Sequence, residues 1–243
     1  MRPSVRACQS ARLCARSPQR RRPHAQLADL SIAASRKGSV EAVLKDIPVP
    51  LDAEALAAIP DARWLAQMAR GILQAGISWK VVDAKWPGIE AAFLGFDLSA
   101  IAFQPDDWFH DLCADTRVIR SPPKLRAILD NAAFVRRVRD DCGSFGRRVG
   151  DWPADDFAGL IQWLQTEGAR LGGATGPYML RQMGKDGYIL SQDVTARLVA
   201  EGVIDKAPTT KKAWAAVQGA FNTWRDQSGQ SLTTISRVLA QSL

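Results

Sequence analysis

Cysteine and histidine are scarce. Cys8, Cys14, Cys113 and Cys142 show no short paired spacing, and the only histidines are His24 and His110. A four-ligand zinc site in the folded region would have to combine Cys113, Cys142 and His110 with a carboxylate, so no metal and no cofactor is expected. Unpaired cysteines fit reduced thiols and a cytoplasmic, nucleoid-associated protein. No apolar run reaches the roughly 18 residues a membrane-spanning helix requires. A sustained apolar/polar alternation is also missing, which argues against a sheet.

Acidic residues are absent from positions 1 to 28, which hold seven arginines: Arg2, Arg6, Arg12, Arg16, Arg20, Arg21 and Arg22. Taking those seven from the 32 basic residues leaves 25, against 25 acidic ones, so the net charge of +7 belongs to this segment. Bulk charge therefore says nothing about nucleic acid, and any attraction must come from local clusters. The segment is rich in Arg, Ser, Pro and Ala without a hydrophobic period, and is expected to be a disordered basic tail. An upstream start codon, a DNA-touching arm and a transit-type presequence all fit it.

What is present is helical pattern, from about Asp29 to the end. Ala53 to Ala58 forms a short helix, and Pro60-Asp61 supplies an N-cap signal for a helix with Trp64, Leu65, Met68, Ile72 and Leu73 on one stripe. Pro87 is expected to start a helix, Asp97 to cap the next, and Pro105-Asp106-Asp107 to open one bearing Trp108, Phe109 and Leu112. A long helix follows Pro122-Pro123, with Leu125, Ile128, Leu129, Ala132 and Val135 inward and Arg126, Arg136, Arg137 and Arg139 outward. A segment to Val149, a helix from Asp155 to about Thr166, and a last helix around Ala213 to Trp224 complete the pattern. The fold class is all-α, in two helical lobes with a cleft, over a single domain from 29 to 243.

In Arg170-Leu171-Gly172-Gly173-Ala174-Thr175-Gly176-Pro177-Tyr178, three glycines fall within five residues between helical patterns. They mark a tight hairpin whose outward amides, at the next helix N-terminus, suit one phosphate and read no base. A plain helix-connecting turn accounts for the glycines as well. The stretch resembles the helix-hairpin-helix of DNA glycosylases, Leu-x-Gly-x-Gly, a helix and then an aspartate; Leu171, Gly173 and Asp193 match, while Thr175 stands at the second glycine.

Gln74-Ala75-Gly76-Ile77-Ser78-Trp79-Lys80-Val81-Val82, then Phe93-Leu94-Gly95-Phe96-Asp97, then Val118-Ile119-Arg120 with Lys124-Leu125-Arg126-Ala127-Ile128 and Asn131-Ala132, resembles the DNA-3-methyladenine glycosylase I family. The resemblance implies a helix-hairpin-helix fold acting on alkylated double-stranded DNA in base-excision repair, without a cofactor. It puts Ile77 as an apolar wedge and Gln74 as a polar plug in the duplex, around a turn at Gly76. Phosphate contacts fall to Gly172, Gly173, Thr175, Gly176 and Lys124. Two features depart from the family. The recognition glutamate, eight residues before Trp79, is Gly71, and the two-Cys, two-His zinc clip has no counterpart.

A glycosylase must extrude its nucleotide and pass through an oxocarbenium-like transition state. Trp79 offers an indole face to a cationic methylated purine. Asp193 is the carboxylate positioned to stabilise the sugar cation or orient water. Each has a plainer role: Ile77 and Trp79 as core, Asp193 as an N-cap. The expected protein is a monomeric, monofunctional alkylpurine glycosylase, since Lys185, the only lysine beside the hairpin, has no motif marking it as a Schiff-base residue. A damage-binding protein that has lost catalysis is the alternative; a helical interaction module would leave the hairpin and wedge unexplained.

Overall fold

The computed structural model describes residues 40–105 and 107–242, and among these every regular element is helical. The basic tail lies outside the described residues. In chain order the α-helices are α1 (Val40–Leu44), α2 (Ala53–Ala57), α3 (Asp61–Gln74), α4 (Trp79–Ala92), α5 (Leu98–Ala102), α6 (Trp108–Ala114), α7 (Pro122–Cys142), α8 (Phe145–Gly150), α9 (Phe157–Glu167), α10 (Thr175–Gln182), α11 (Gln192–Ala200), α12 (Lys211–Ser228) and α13 (Leu232–Gln241), with a 3-10 turn at Leu94–Phe96. None is long and apolar enough to cross a membrane.

Local chemistry sets most boundaries. Asp52 caps α2 through the amide of Ala55, Asp97 caps α5 through Ala100, and Asp156 caps α9 through Gly159. Two prolines open α7, and Gly143, at φ +85°, closes it. Asp61 behaves differently from the cap expected of it. Its carboxylate accepts from the amide of Phe145 at 2.8 Å, tying the start of α3 to α8. Burial raises its pKa, with the Phe145 bond and the charge of Arg139 working against that rise.

The expected helix start at Pro87 is corrected: α4 begins at Trp79 and runs through the proline. Proline deletes one helical donor, but Trp86 beside it lies under Arg70 at 4.4 Å and stacks on Phe96 at 5.7 Å, holding that turn. The last helix is also not the one expected. α12 runs on to Ser228, and α13 follows, with Leu232, Ile235, Val238 and Leu239 buried on one stripe.

Two helical lobes result. In the first, α2 to α8 pack about α3 and α7; Trp64, Leu65, Met68, Leu125, Ile128 and Phe145 are buried among them. In the second, α9 to α13 and α1 surround Tyr188, Phe221 and Trp224. The Tyr188 ring stacks on Phe221 at 4.1 Å and its hydroxyl donates to Gln218. The principal contact between lobes is α3 against α10. That contact also carries the candidate site.

Candidate DNA-lesion site

The first half of the site is the exit from α3. Its apolar stripe is buried as the sequence predicts, and the helix ends where Ala75 turns extended and Gly76 takes φ +74°. A Cβ at Gly76 would meet no atom within 4 Å, so this position needs glycine for its backbone angle and not for space. Ile77 donates back to the Gln74 carbonyl at 3.1 Å, and α4 begins two residues later. Gln74 and Ile77 are half-buried, with Ile77 packed on the core. Trp79, at the first position of α4, is 55% exposed, so the core role open to it in the sequence does not hold. An exposed indole at a helix start offers surface on which a ligand could stack.

The second half is the hairpin between α9 and α10. Leu171 is fully buried, and the preceding loop is fastened to α7 by Asn131, itself fully buried. Asn131 donates to the Ala169 carbonyl at 2.8 Å and accepts from the Ala169 amide at 2.9 Å. Arg170 and Gly173 take positive φ, and the Gly176 amide closes the turn on the Leu171 carbonyl at 3.0 Å. A Cβ on Gly176 would stand 2.5 Å from that carbonyl oxygen, which excludes any side chain there. The amides of Gly172, Gly173 and Ala174 find no acceptor among the described residues, leaving donors at the start of α10 for an anion. Arg170 is exposed and has no ion-pair partner among the described residues. Arg170 is not among the phosphate contacts expected from the sequence, although its place next to the glycines is a signal.

The two halves touch. Gly71 faces Thr175, whose Cγ2 would lie 3.1 Å from a Cβ at position 71. Further along the same interface the side-chain amide of Gln67 donates to Gln182. Lys124, expected on phosphate, directs its ammonium to the Leu73 carbonyl at 3.0 Å and the Ala75 carbonyl at 2.6 Å. Burial pulls its pKa below the ordinary lysine value, and the neighbouring charge of Arg170 adds to that.

Asp193 reaches its place by way of an extended run after α10. Asp186 accepts from the amides of Leu232 and Thr233 at 3.0 and 2.9 Å, the Gly187 amide donates to the Thr233 hydroxyl at 3.4 Å, and the Ile189 amide donates to Ser236 at 3.1 Å. α13 thus serves as a rail. Ser191, rather than Asp193, caps α11 through the Val194 amide at 3.2 Å. Asp193 is exposed in the first turn, with no hydrogen bond or ion pair to another described residue. Lys185, the lysine beside the hairpin in sequence, directs its ammonium to the carbonyls of Gly150 and Trp152 at 3.4 Å. Among the described residues no group of His, Cys, Asp and Glu is arranged to hold a metal ion, and Cys113 and Cys142 are free thiols.

Known proteins share the helical fold. The solved 8-oxoguanine DNA glycosylase of Methanocaldococcus jannaschii is similar in fold, with a TM-score of 0.50 at 14% identity over 86% of this chain and 91% of that one. A 3-methyladenine DNA glycosylase I from Staphylococcus aureus matches with a TM-score of 0.46 at 23% identity, over 51% of this chain and 77% of that one. No curated protein matches the chain. The family model for methyladenine glycosylases matches residues 60–157, which takes in the wedge block and α7 and stops before the hairpin and Asp193. Residues 60–157 are thus similar to the methyladenine glycosylases, and the helical fold as a whole is similar to that of a solved DNA glycosylase.

Proposed function

We propose that the protein is a monofunctional DNA glycosylase that hydrolyses the N-glycosidic bond of alkylated purines, of the 3-methyladenine type, in double-stranded DNA. The observation that carries this reading is Trp79: within the family block, its indole is presented to solvent at the head of α4, beside the Gly76 turn. The hairpin amides and Arg170 hold a phosphate, Ile77 and Gln74 occupy the opened duplex, and Trp79 receives the extruded base. A purine alkylated at a ring nitrogen is already cationic in DNA. The bond from its nitrogen to C1′ breaks with the electron pair going to the base, which departs neutral without needing a protein acid. Water then bonds to C1′ and loses a proton, while the Asp193 carboxylate stabilises the positive sugar and orients that water. Residues 29–243 form the working domain, as a monomer in the cytoplasm, and the tail is dispensable for folding.

The contact between Gly71 and Thr175 favours a second reading, a damage-binding protein without catalysis, because the position of the family's glutamate carries no carboxylate and is crowded by the Thr175 methyl, 3.1 Å from where a Cβ would stand. One assay separates them. Purified protein is incubated with methylated duplex DNA and released bases are quantified, against Asp193→Asn. Release that falls at least tenfold in the variant supports the glycosylase. Selective binding of alkylated DNA with no release by either protein supports the binder, and neither release nor selective binding sinks both.

A further inference from the structure

Taking Gln74 to Ile77 as the duplex wedge, something must keep that short loop from yielding when it is pushed into stacked bases. The last carbonyls of a helix have no partner inside the helix, and a cation near them is favoured by the helix dipole. At the end of α3 both requirements are met from another helix. Lys124 stands in the first turn of α7, right after Pro122-Pro123, and its Nζ lies 3.0 Å from the Leu73 carbonyl and 2.6 Å from the Ala75 carbonyl. Leu73 belongs to the last turn of α3, while Ala75 is the extended residue where the chain leaves the helix. One ammonium therefore grips the chain on both sides of Gln74. A lysine kept for phosphate would hold its charge in solvent. This one is partly buried, and two of its three donors are committed to carbonyls.

The geometry points to Lys124 as the positioning residue of the wedge: from the start of α7 it clamps the exit of α3, fixing the Gly76 turn and Ile77 against the duplex. The residue acts through the loop and not on the lesion. Its removal leaves the hairpin's hold on DNA unchanged and softens the wedge. A phosphate contact would do the reverse.

Lys124→Met keeps the aliphatic stem and removes the donors. In the protein without DNA, the amides of Ala75 and Ile77 are expected to exchange hydrogen roughly tenfold faster, the factor expected for loss of one charge-assisted hydrogen bond, while Leu171 to Gly176 exchange as before. Release of an alkylated base is expected to fall roughly tenfold for a paired lesion and by clearly less for an unpaired one. The salt slope of duplex binding should not move, whereas a lost phosphate contact lowers it by about 0.9. Lys124→Arg, which can still offer two donors, should restore slow exchange and the paired-lesion rate. Parent-like exchange at Ala75 and Ile77 in Lys124→Met overturns the clamp. So does a reduced salt slope with equal losses on both substrates. If Lys124→Met does not fold by circular dichroism, Lys124→Gln replaces it and is read by the same exchange and salt criteria. If no protein releases a base, the exchange result still decides the clamp, and only the glycosylase reading falls.

Discussion

Asn131 offers the sharpest test of how the hairpin is held. It is a fully buried amide that makes two hydrogen bonds to the backbone of one residue, Ala169, next to the turn. In Asn131→Ala the Ala169 N–H and C=O both lose their partner in a half-buried place, at about 1–3 kcal/mol for each group left unsatisfied. Alanine returns roughly 0.5 kcal/mol of helix propensity in the middle of α7. The expected net loss is about 1.5–5.5 kcal/mol, which at a mid-range slope of about 2 kcal/mol/M lowers the urea midpoint by about 1–3 M. Urea unfolding followed by circular dichroism measures it. Affinity for undamaged duplex, measured where the variant is fully folded, should fall as well, because the amides of Gly172 to Ala174 lose their fixed direction. A loss below about 1 kcal/mol would mean that water satisfies Ala169, and the pinned hairpin would be refuted. A full loss of stability with unchanged duplex affinity would separate the hairpin from DNA binding.

Gly173→Val should weaken binding to duplex of any sequence and lower its salt dependence; the space is open, but a β-branched residue at φ +61° is strained by roughly 1–2 kcal/mol or more. Unchanged affinity in a folded variant would reject the hairpin as a phosphate site. Ile77→Ala should hurt release or binding of a paired lesion more than an unpaired one, and equal losses would remove the wedge. Trp79→Ala should fold normally, since the residue is more than half exposed, and lose about 1–3 kcal/mol of lesion binding whether or not the lesion is paired. Unchanged lesion binding would place the base elsewhere.

Most helices could be read from the sequence because their signals are local. The α3 stripe, the Asp97 cap and the paired prolines of α7 each act within a turn or two of the residues they order. α13 was missed although Ser231 and the spacing of Leu232, Ile235, Val238 and Leu239 were there to find, its polar Thr233 and Ser236 masking the stripe. Those two are buried because they serve the backbone of Gly187 and Ile189, some 46 and 47 positions earlier. Pro87 misled for a related reason: Arg70 and Phe96, which hold the turn beside it, are distant in sequence. The candidate site divides the same way. Its block of residues was legible, and the exposure of Trp79 fits a ligand face. The task of Lys124 was not, because its carbonyl partners lie 51 and 49 residues away and a lysine near a helix start looks like any phosphate ligand.

The same long-range logic joins two departures that look unrelated in the sequence. The glutamate position of the family holds Gly71, and the second hairpin glycine is replaced by Thr175, about a hundred residues later. In three dimensions they are one contact, since a Cβ on residue 71 would stand 3.1 Å from the Thr175 methyl. The residue of α3 that lacks a side chain thus lies against the threonine that opens α10. A glutamate restored at position 71 would need the Thr175 methyl, at the start of the hairpin helix, to give by a few tenths of an ångström. With no carboxylate at position 71, lesion selection is expected to fall to the exposed indole of Trp79 and the exposed carboxylate of Asp193, which would favour a base that is cationic before it leaves.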